Sequence, residues 1–309
     1  MKLNYLEVVQ QAWQIVWKHK WLWLFGVLVA LGSGGSSFSN YSSYSTNSGN
    51  TSAAGANVSQ FISVYLVLII LLAIFLLVIG LVILVLSIIA NGALIGAATS
   101  VDRGESTGLS AAWRIGVKNF WRLLGLNLLI GLIVLVLVAI PVAVGIVAAV
   151  IGASGSAISP ALFCLIPVAI VYLLAFIVFV ILLGISSNYG MRYIVVDGAG
   201  VLDGLRRGFA LFRLRWADTI LMYLLLGIIG FAVGVVLLIP AAAIGLPALA
   251  MGISGVALKS VVLVAAGVFV GMLAILVMAI LNGVFVAFSS VAWTLVYLRL
   301  TTAGETPLP

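Results

Sequence analysis

The chain is 309 residues long, 65% hydrophobic and 7% charged, with a mean hydropathy of +1.38 and a net charge of +7. Soluble domains are roughly half apolar and about a quarter charged, so a water-soluble globule is excluded, and membrane orientation rather than nucleic acid accounts for the basic excess. One cysteine, Cys164, and one histidine, His19, set between Lys18 and Lys20, offer no disulfide and no metal-ligand cluster; neither metal nor cofactor is expected.

The pattern predicts an all-α integral membrane protein with six transmembrane helices, near 16–32, 61–90, 121–140, 160–186, 217–239 and 260–298. A lead helix comes first. Tyr5, Leu6, Val8, Val9, Ala12, Trp13, Val16 and Trp17 form one face, opposite Glu7, Gln10, Gln11, Gln14 and Lys18, the period of a helix lying in the headgroup plane. In the span that follows, the unbroken apolar stretch Trp21–Leu31 falls short of the ~20 residues that cross hydrocarbon. Val16 and Trp17 must therefore join it while Lys18 and Lys20 snorkel. "ALGS" at 30–33 has the look of a signal-peptide cleavage site, but the 20 residues before the apolar stretch are too long and too aromatic for a basic leader, so a retained span is expected. Segment 33–60, uncharged and rich in Ser, Gly, Asn and Thr, reads as a flexible outer loop.

The later spans are marked by what they lack. No charge occurs between Lys20 and Asp102, from Leu123 to Tyr189, from Thr219 to Leu258, or from Ser260 to Leu298, because an ionised side chain at the bilayer centre costs at least ~2.5 kcal/mol. Ahead of the third span, "AAWRIGVKNFW" at 111–121 is a second lead helix, with Trp113 and Trp121 framing a stripe of Arg114, Lys118 and Arg122 at i, i+4 spacing. A third precedes the fifth span, where Asp203, Arg206, Arg207 and Arg213 face away from Leu202, Leu205, Phe209 and Phe212, ahead of Trp216. Pro141 and Pro240 follow Trp121 and Trp216 by about one bilayer thickness of helix. They are expected to end or kink their spans, leaving 141–159 and 240–257 as outer-leaflet segments.

These features recur. Trp13, Trp113 and Gly208 align at offsets of 100 and 95, followed in the same register by Lys18, Lys118 and Arg213, then by Trp21, Trp121 and Trp216. Asn91, Asn188 and Asn282 recur at 97 and 94, Asp102 and Asp197 at 95. The expectation is three tandem repeats, 1–100, 101–198 and 199–309, each an interfacial helix plus two spans. Of the 14 Lys and Arg residues all but Lys259 fall on one side of six spans, which places both termini in the cytoplasm.

No charged side chain is expected at membrane depth, and the loops are too short for a catalytic domain. The neutral Asn91, Asn188 and Asn282 are expected to hydrogen-bond around a pseudo-threefold axis. "LSAAWRIGVKNFWRLL" (109–124) and "VLDGLRRGFALFRLRW" (201–216), each feeding a span, and the closing "AWTLVYLRL" (292–300) resemble a diffuse group of bacterial polytopic membrane proteins of largely unknown function. They are similar to the membrane domain attached to some glycerophosphodiester phosphodiesterases. The resemblance implies a multi-pass protein of the bacterial cytoplasmic (inner) membrane. No phosphodiesterase domain and no metal-binding His/Glu set accompanies it here, so that activity does not carry over.

The expected function is non-enzymatic: a scaffold, accessory or membrane-organising subunit. Its contacts to anionic lipid headgroups or a partner run through Lys18, Arg114, Lys118, Arg122, Arg206, Arg207, Arg213, Trp13, Trp21, Trp113, Trp121 and Trp216, and the partner is another membrane protein or a second copy. The alternative is a transporter or channel for a neutral or apolar solute, using Asn91, Asn188 and Asn282.

Overall fold

The computed structural model describes residues 4–32, 52–105, 108–153, 160–258 and 260–302; Lys2, Lys259 and the outer segment up to residue 51 lie outside them. The described residues form eight helices and no strand: α1 Tyr5–Lys18, α2 Trp21–Gly32, α3 Ser52–Asp102, α4 Leu109–Ala153, α5 Pro160–Val196, α6 Val201–Leu214, α7 Trp216–Ala257 and α8 Val261–Thr302. Five contain stretches long and apolar enough to cross a membrane: Leu77–Asp102, Leu109–Ala143, Ala169–Val196, Trp216–Gly255 and Val262–Thr301. The pair α1–α2, bent by 104°, supplies a sixth if the two count as one broken span. This is the architecture of a multi-pass membrane protein.

The corner between α1 and α2 is built from its own sequence. The backbone N–H of His19 still bonds Ile15, while the amides of Leu22 and Trp23 already bond His19 and Lys20. The helix end exposes the Val16 carbonyl, which accepts the Trp23 indole N–H at 3.0 Å, so an orphan group of the α1 terminus is satisfied across the bend. The other ends use glycine. After α3 and α5 the chain turns at Gly104 (φ 76°) and Gly198 (φ 68°), left-handed positions that a Cβ disfavours. These are the glycines that follow Asp102 and Asp197.

Several expected boundaries differ. Ser52–Gln60, read as loop, is helical and continuous with α3. Pro141 lies inside α4, and Pro240 and Pro247 inside α7. Helices in apolar surroundings tolerate proline because no water competes for the freed backbone groups and local adjustment re-satisfies them. The second lead helix is not a separate element. Residues 109–120 are the first turns of α4, since Asn119 returns its amide to Ile115 at 3.1 Å and nothing there breaks the ladder. Only α1 and α6 stand apart from the helices they precede.

The hydrophobic core sits at one end of the bundle. Val8, Leu22, Ala93, Ala112, Tyr189, Leu211, Met222 and Val296, one from each of the eight helices, belong to one buried cluster. The starts of α1, α4 and α6 therefore lie at the same end, as their basic residues demand. Away from that end the helices turn large apolar side chains outward, among them Leu77, Leu132, Leu174, Phe231 and Phe269 at 58–76% exposure, a belt suited to hydrocarbon.

Two helix pairs are joined in the same way. A Cβ on Gly116 would overlap the Ile89 carbonyl oxygen and lie 3.1 Å from the Ala93 nitrogen; one on Gly208 would overlap the Ser186 carbonyl and lie 3.0 Å from the Gly190 nitrogen. Each glycine thus sits on a turn centred on an asparagine, Asn91 or Asn188. The packing register matches Gly208 with Gly116, not with Trp113. At the third place α1 meets α8 through other residues, with Trp13 edge-on to Phe288 at 5.8 Å and Arg299 bonded to Gln11 at 2.6 Å.

Candidate functional site

The end that carries the core also carries the cations. Lys18 closes α1; Arg114, Lys118 and Arg122 follow one side of α4; Arg206, Arg207 and Arg213 lie on α6; all seven are exposed. The Arg122 guanidinium donates to the Gly198 carbonyl at 2.8 Å. The other six have no ion pair among the described residues, where the two recorded pairs are Arg215–Asp218 at 3.8 Å and Arg299–Glu7 at 3.7 Å. Unpaired guanidinium and ammonium groups in a row keep their full field.

The tryptophans separate into two groups. Trp13, Trp121 and Trp216 are 49%, 77% and 59% exposed, as side chains at the membrane boundary must be. Trp113 and Trp21 are half-buried. Trp113 stacks on Phe25 at 6.1 Å, Trp21 lies edge-on to the same ring at 5.9 Å, and both pack against the core. The sequence put all five in one contact set, but which side of a helix has protein against it is decided by its neighbours.

The expected ring of asparagines does not form. Asn91 donates to the Met191 sulfur at 3.6 Å and Asn188 to the Tyr223 hydroxyl at 3.0 Å, while Asn282 is half-buried on α8. No hydrogen bond among the described residues joins the three. A cavity of about 620 Å³ between α2, α3, α4 and α5 is lined by Asn91 and by neither of the other two. Each asparagine lies at a different helix crossing, Asn91 opposite Gly116, Asn188 opposite Gly208 and Asn282 beside the Gly283 that meets Gly26, so equivalent positions in sequence meet unlike partners.

A buried polar cluster takes its place, and it corrects the expectation that no charge enters the apolar part of the bundle. Arg192, read as a loop cation, lies within α5 and is 4% exposed. Its guanidinium donates to the backbone and side-chain oxygens of Asn188 one turn earlier and, at 3.4 Å, to the Ser290 carbonyl of α8. No carboxylate pairs with it among the described residues, and its Nε and the nearby Ser290 hydroxyl have no hydrogen-bond partner. Aromatic residues wall the region: Trp293 is edge-on to Tyr189 at 5.9 Å and tilted against Tyr223 at 4.4 Å. The signal was present in "SSNYGMRYIVV" (186–196), where Asn188 and Arg192 are spaced i, i+4 and Tyr189 and Tyr193 flank them.

Two phenol–carboxylate bonds tie the same end together. Tyr297 donates to Asp197 at 2.7 Å, and Tyr5 of α1 donates to Asp218 of α7 at 2.5 Å. Burial first, and then the bond to Asp218, push the Tyr5 phenol up from 10.0 to about 12. A phenol whose pKa rises on folding stabilises the fold below its unfolded pKa of about 10 and loses that contribution as pH climbs through the folded value. Tyr5→Phe is therefore expected to lower stability at pH 7 by about 1–2 kcal/mol. Thermal melts in detergent should show mutant and wild type converging as the pH is raised toward 12; a constant gap across that range contradicts the assignment.

A protein-family model described as a family of unknown function matches residues 13–303. No curated protein and no solved structure matches.

Proposed function

The chain belongs to that family, DUF7544, and from this premise we propose that it is a non-enzymatic membrane protein acting as a scaffold, accessory or membrane-organising subunit, whose basic, aromatic end holds anionic lipid or the face of a partner. The observation that supports this is the exposed set Lys18, Arg114, Lys118, Arg206, Arg207 and Arg213, without ion pairs among the described residues and bordered by exposed Trp13, Trp121 and Trp216. Each basic residue near an anionic surface contributes about 1 kcal/mol. On this reading the positive-inside rule turns this end to the cytoplasm, and the resemblance to bacterial polytopic proteins makes the membrane a bacterial inner membrane.

Replacing Arg114, Lys118 and Arg122 together with glutamine removes about 3 kcal/mol of this attraction, equivalent to roughly a hundredfold in relative affinity. The exposed tryptophans serve as reporters. In reconstituted vesicles, quenching by brominated phosphatidylglycerol relative to brominated phosphatidylcholine should show a strong preference in the wild type. That preference should fall by one to two orders of magnitude in the triple variant. An unchanged ratio at physiological salt overturns the lipid-holding version, and unchanged partner recovery in pull-downs overturns the partner version.

A further inference from the structure

Below the basic end, α3 and α4 touch backbone to backbone and then part. A Cβ on Gly92 would lie 2.8 Å from the Leu123 side chain and 3.2 Å from the Gly116 Cα. Beyond that contact both helices line the cavity of about 620 Å³, within the ~300–1,000 Å³ of small-molecule sites. Val29 and Gly32 of α2 and Met191 of α5 complete its walls. Its mouth is formed by Leu84, Leu128, Leu132 and Leu135, which line it while remaining 47%, 65%, 58% and 65% exposed. It therefore opens sideways onto the apolar belt.

Three polar side chains line it, and all are neutral: Ser87, Asn91 and Asn127. Their present bonds are poor or local. Asn91 Nδ2 has only the Met191 sulfur at 3.6 Å, a weak acceptor. Asn127 donates to Leu123 of its own helix at 3.0 Å, and the Ser87 hydroxyl reaches Val29 at 3.5 Å. Neither carboxamide oxygen accepts a hydrogen bond among the described residues. An under-used amide facing hydrocarbon costs free energy that a polar ligand group recovers.

We propose that this cavity holds one acyl chain of a glycerophospholipid, with the glycerol ester carbonyl accepting from Asn91 and the headgroup directed toward the basic end. A chain moving from bilayer to groove exchanges one apolar surrounding for another and gains little; selectivity comes from the ester at the asparagines. Arg122 lies five residues before Asn127 on α4, about 7–8 Å along the axis, the side on which a phosphate would emerge. The headgroup part of the proposal rests on the lipid-holding function above; the chain and ester part stands without it.

Gly131 lines the cavity and a Cβ there meets nothing within 4 Å, as is also true of Gly80, which does not line it. Gly131→Phe should fill the groove without a backbone clash, and Gly80→Phe is the matched control. Native mass spectrometry after delipidation, with added dioleoyl phosphatidylglycerol or phosphatidylcholine, is expected to show one phospholipid retained per wild-type chain. Retention should drop about tenfold in G131F and stay unchanged in G80F. The wild type should prefer the diester lipid over its diether analogue, and Asn91→Leu should erase that preference. No retained lipid, equal losses in G131F and G80F, or no ester-to-ether difference overturns the proposal. Equal retention of the two headgroups with the G131F loss intact removes the basic-end reading and leaves the groove standing; headgroup preference without a G131F effect does the reverse.

Discussion

Gly208→Leu is expected to abolish the α5–α6 contact and leave a protein that melts far below the wild type in detergent. The position has no freedom to adjust. A side chain there would run into the Ser186 carbonyl, the Gly190 nitrogen at 3.0 Å and the Tyr189 Cβ at 3.3 Å, two of which are backbone atoms of a packed helix. Overpacking a tight interface costs about 1–3 kcal/mol or more. The separation also breaks the Ser186 hydroxyl bond to the Leu205 carbonyl, 2.9 Å long, worth about another 1 kcal/mol. Alanine, one methyl larger than glycine, should give an intermediate loss. Because membrane proteins often unfold irreversibly, the readout is the rate of unfolding at fixed temperature in detergent, followed by loss of helical signal. A G208L variant as long-lived as the wild type contradicts the close approach of these two helices.

Arg192→Met is expected to raise stability, by about 1–4 kcal/mol. The sign follows from what the side chain touches. Its acceptors are the Asn188 and Ser290 carbonyls and the Asn188 carboxamide. The Ser290 carbonyl already accepts the Thr294 hydroxyl at 2.8 Å, and the Asn188 carboxamide is only half-buried. Removing the guanidinium therefore strands few partners, while it relieves a desolvated cation with no carboxylate and an unbonded Nε. Methionine fills a similar volume without charge. Arg192→Lys goes the other way, since one ammonium cannot reproduce a forked set of contacts to two helices. Melting curves of R192M, R192K and wild type in one detergent decide the matter; an R192M protein less stable than R192K shows that the charge is compensated and that the cluster is a stabilising one. A stabilising R192M implies that Arg192 is kept for a role other than holding the fold, as buried charges in membrane proteins commonly are.

Part of the fold was legible because its causes are local. Charge-free apolar runs long enough for hydrocarbon and the helix period of 5–18 and 201–214 each dictate their element without reference to the rest of the chain. The positions of α3, α5, α7 and α8 followed, with ends extended by as much as about five turns in α7, as did the grouping of the basic stretches around one end. The exposure of Lys18, Arg114, Lys118, Arg122, Arg206, Arg207 and Arg213 was legible for the same reason, because a charged group keeps its hydration unless the fold gives it partners.

What the amino-acid order determined alone, then, is the membrane-spanning helical character and the basic, tryptophan-bordered end, since hydrophobicity and charge act on each segment through the solvent. Only the tertiary structure decided which flank of a helix is covered. It packed Trp21 and Trp113 half-buried against the core while leaving Trp13 and Trp121 outside, drew Arg192 inward, kept Asn91, Asn188 and Asn282 apart, and opened the groove between α3 and α4. Those outcomes depend on where the small residues Gly92, Gly116 and Gly208 let two backbones meet, and a close approach of that kind is a property of pairs of helices, invisible to the periodicity of either one.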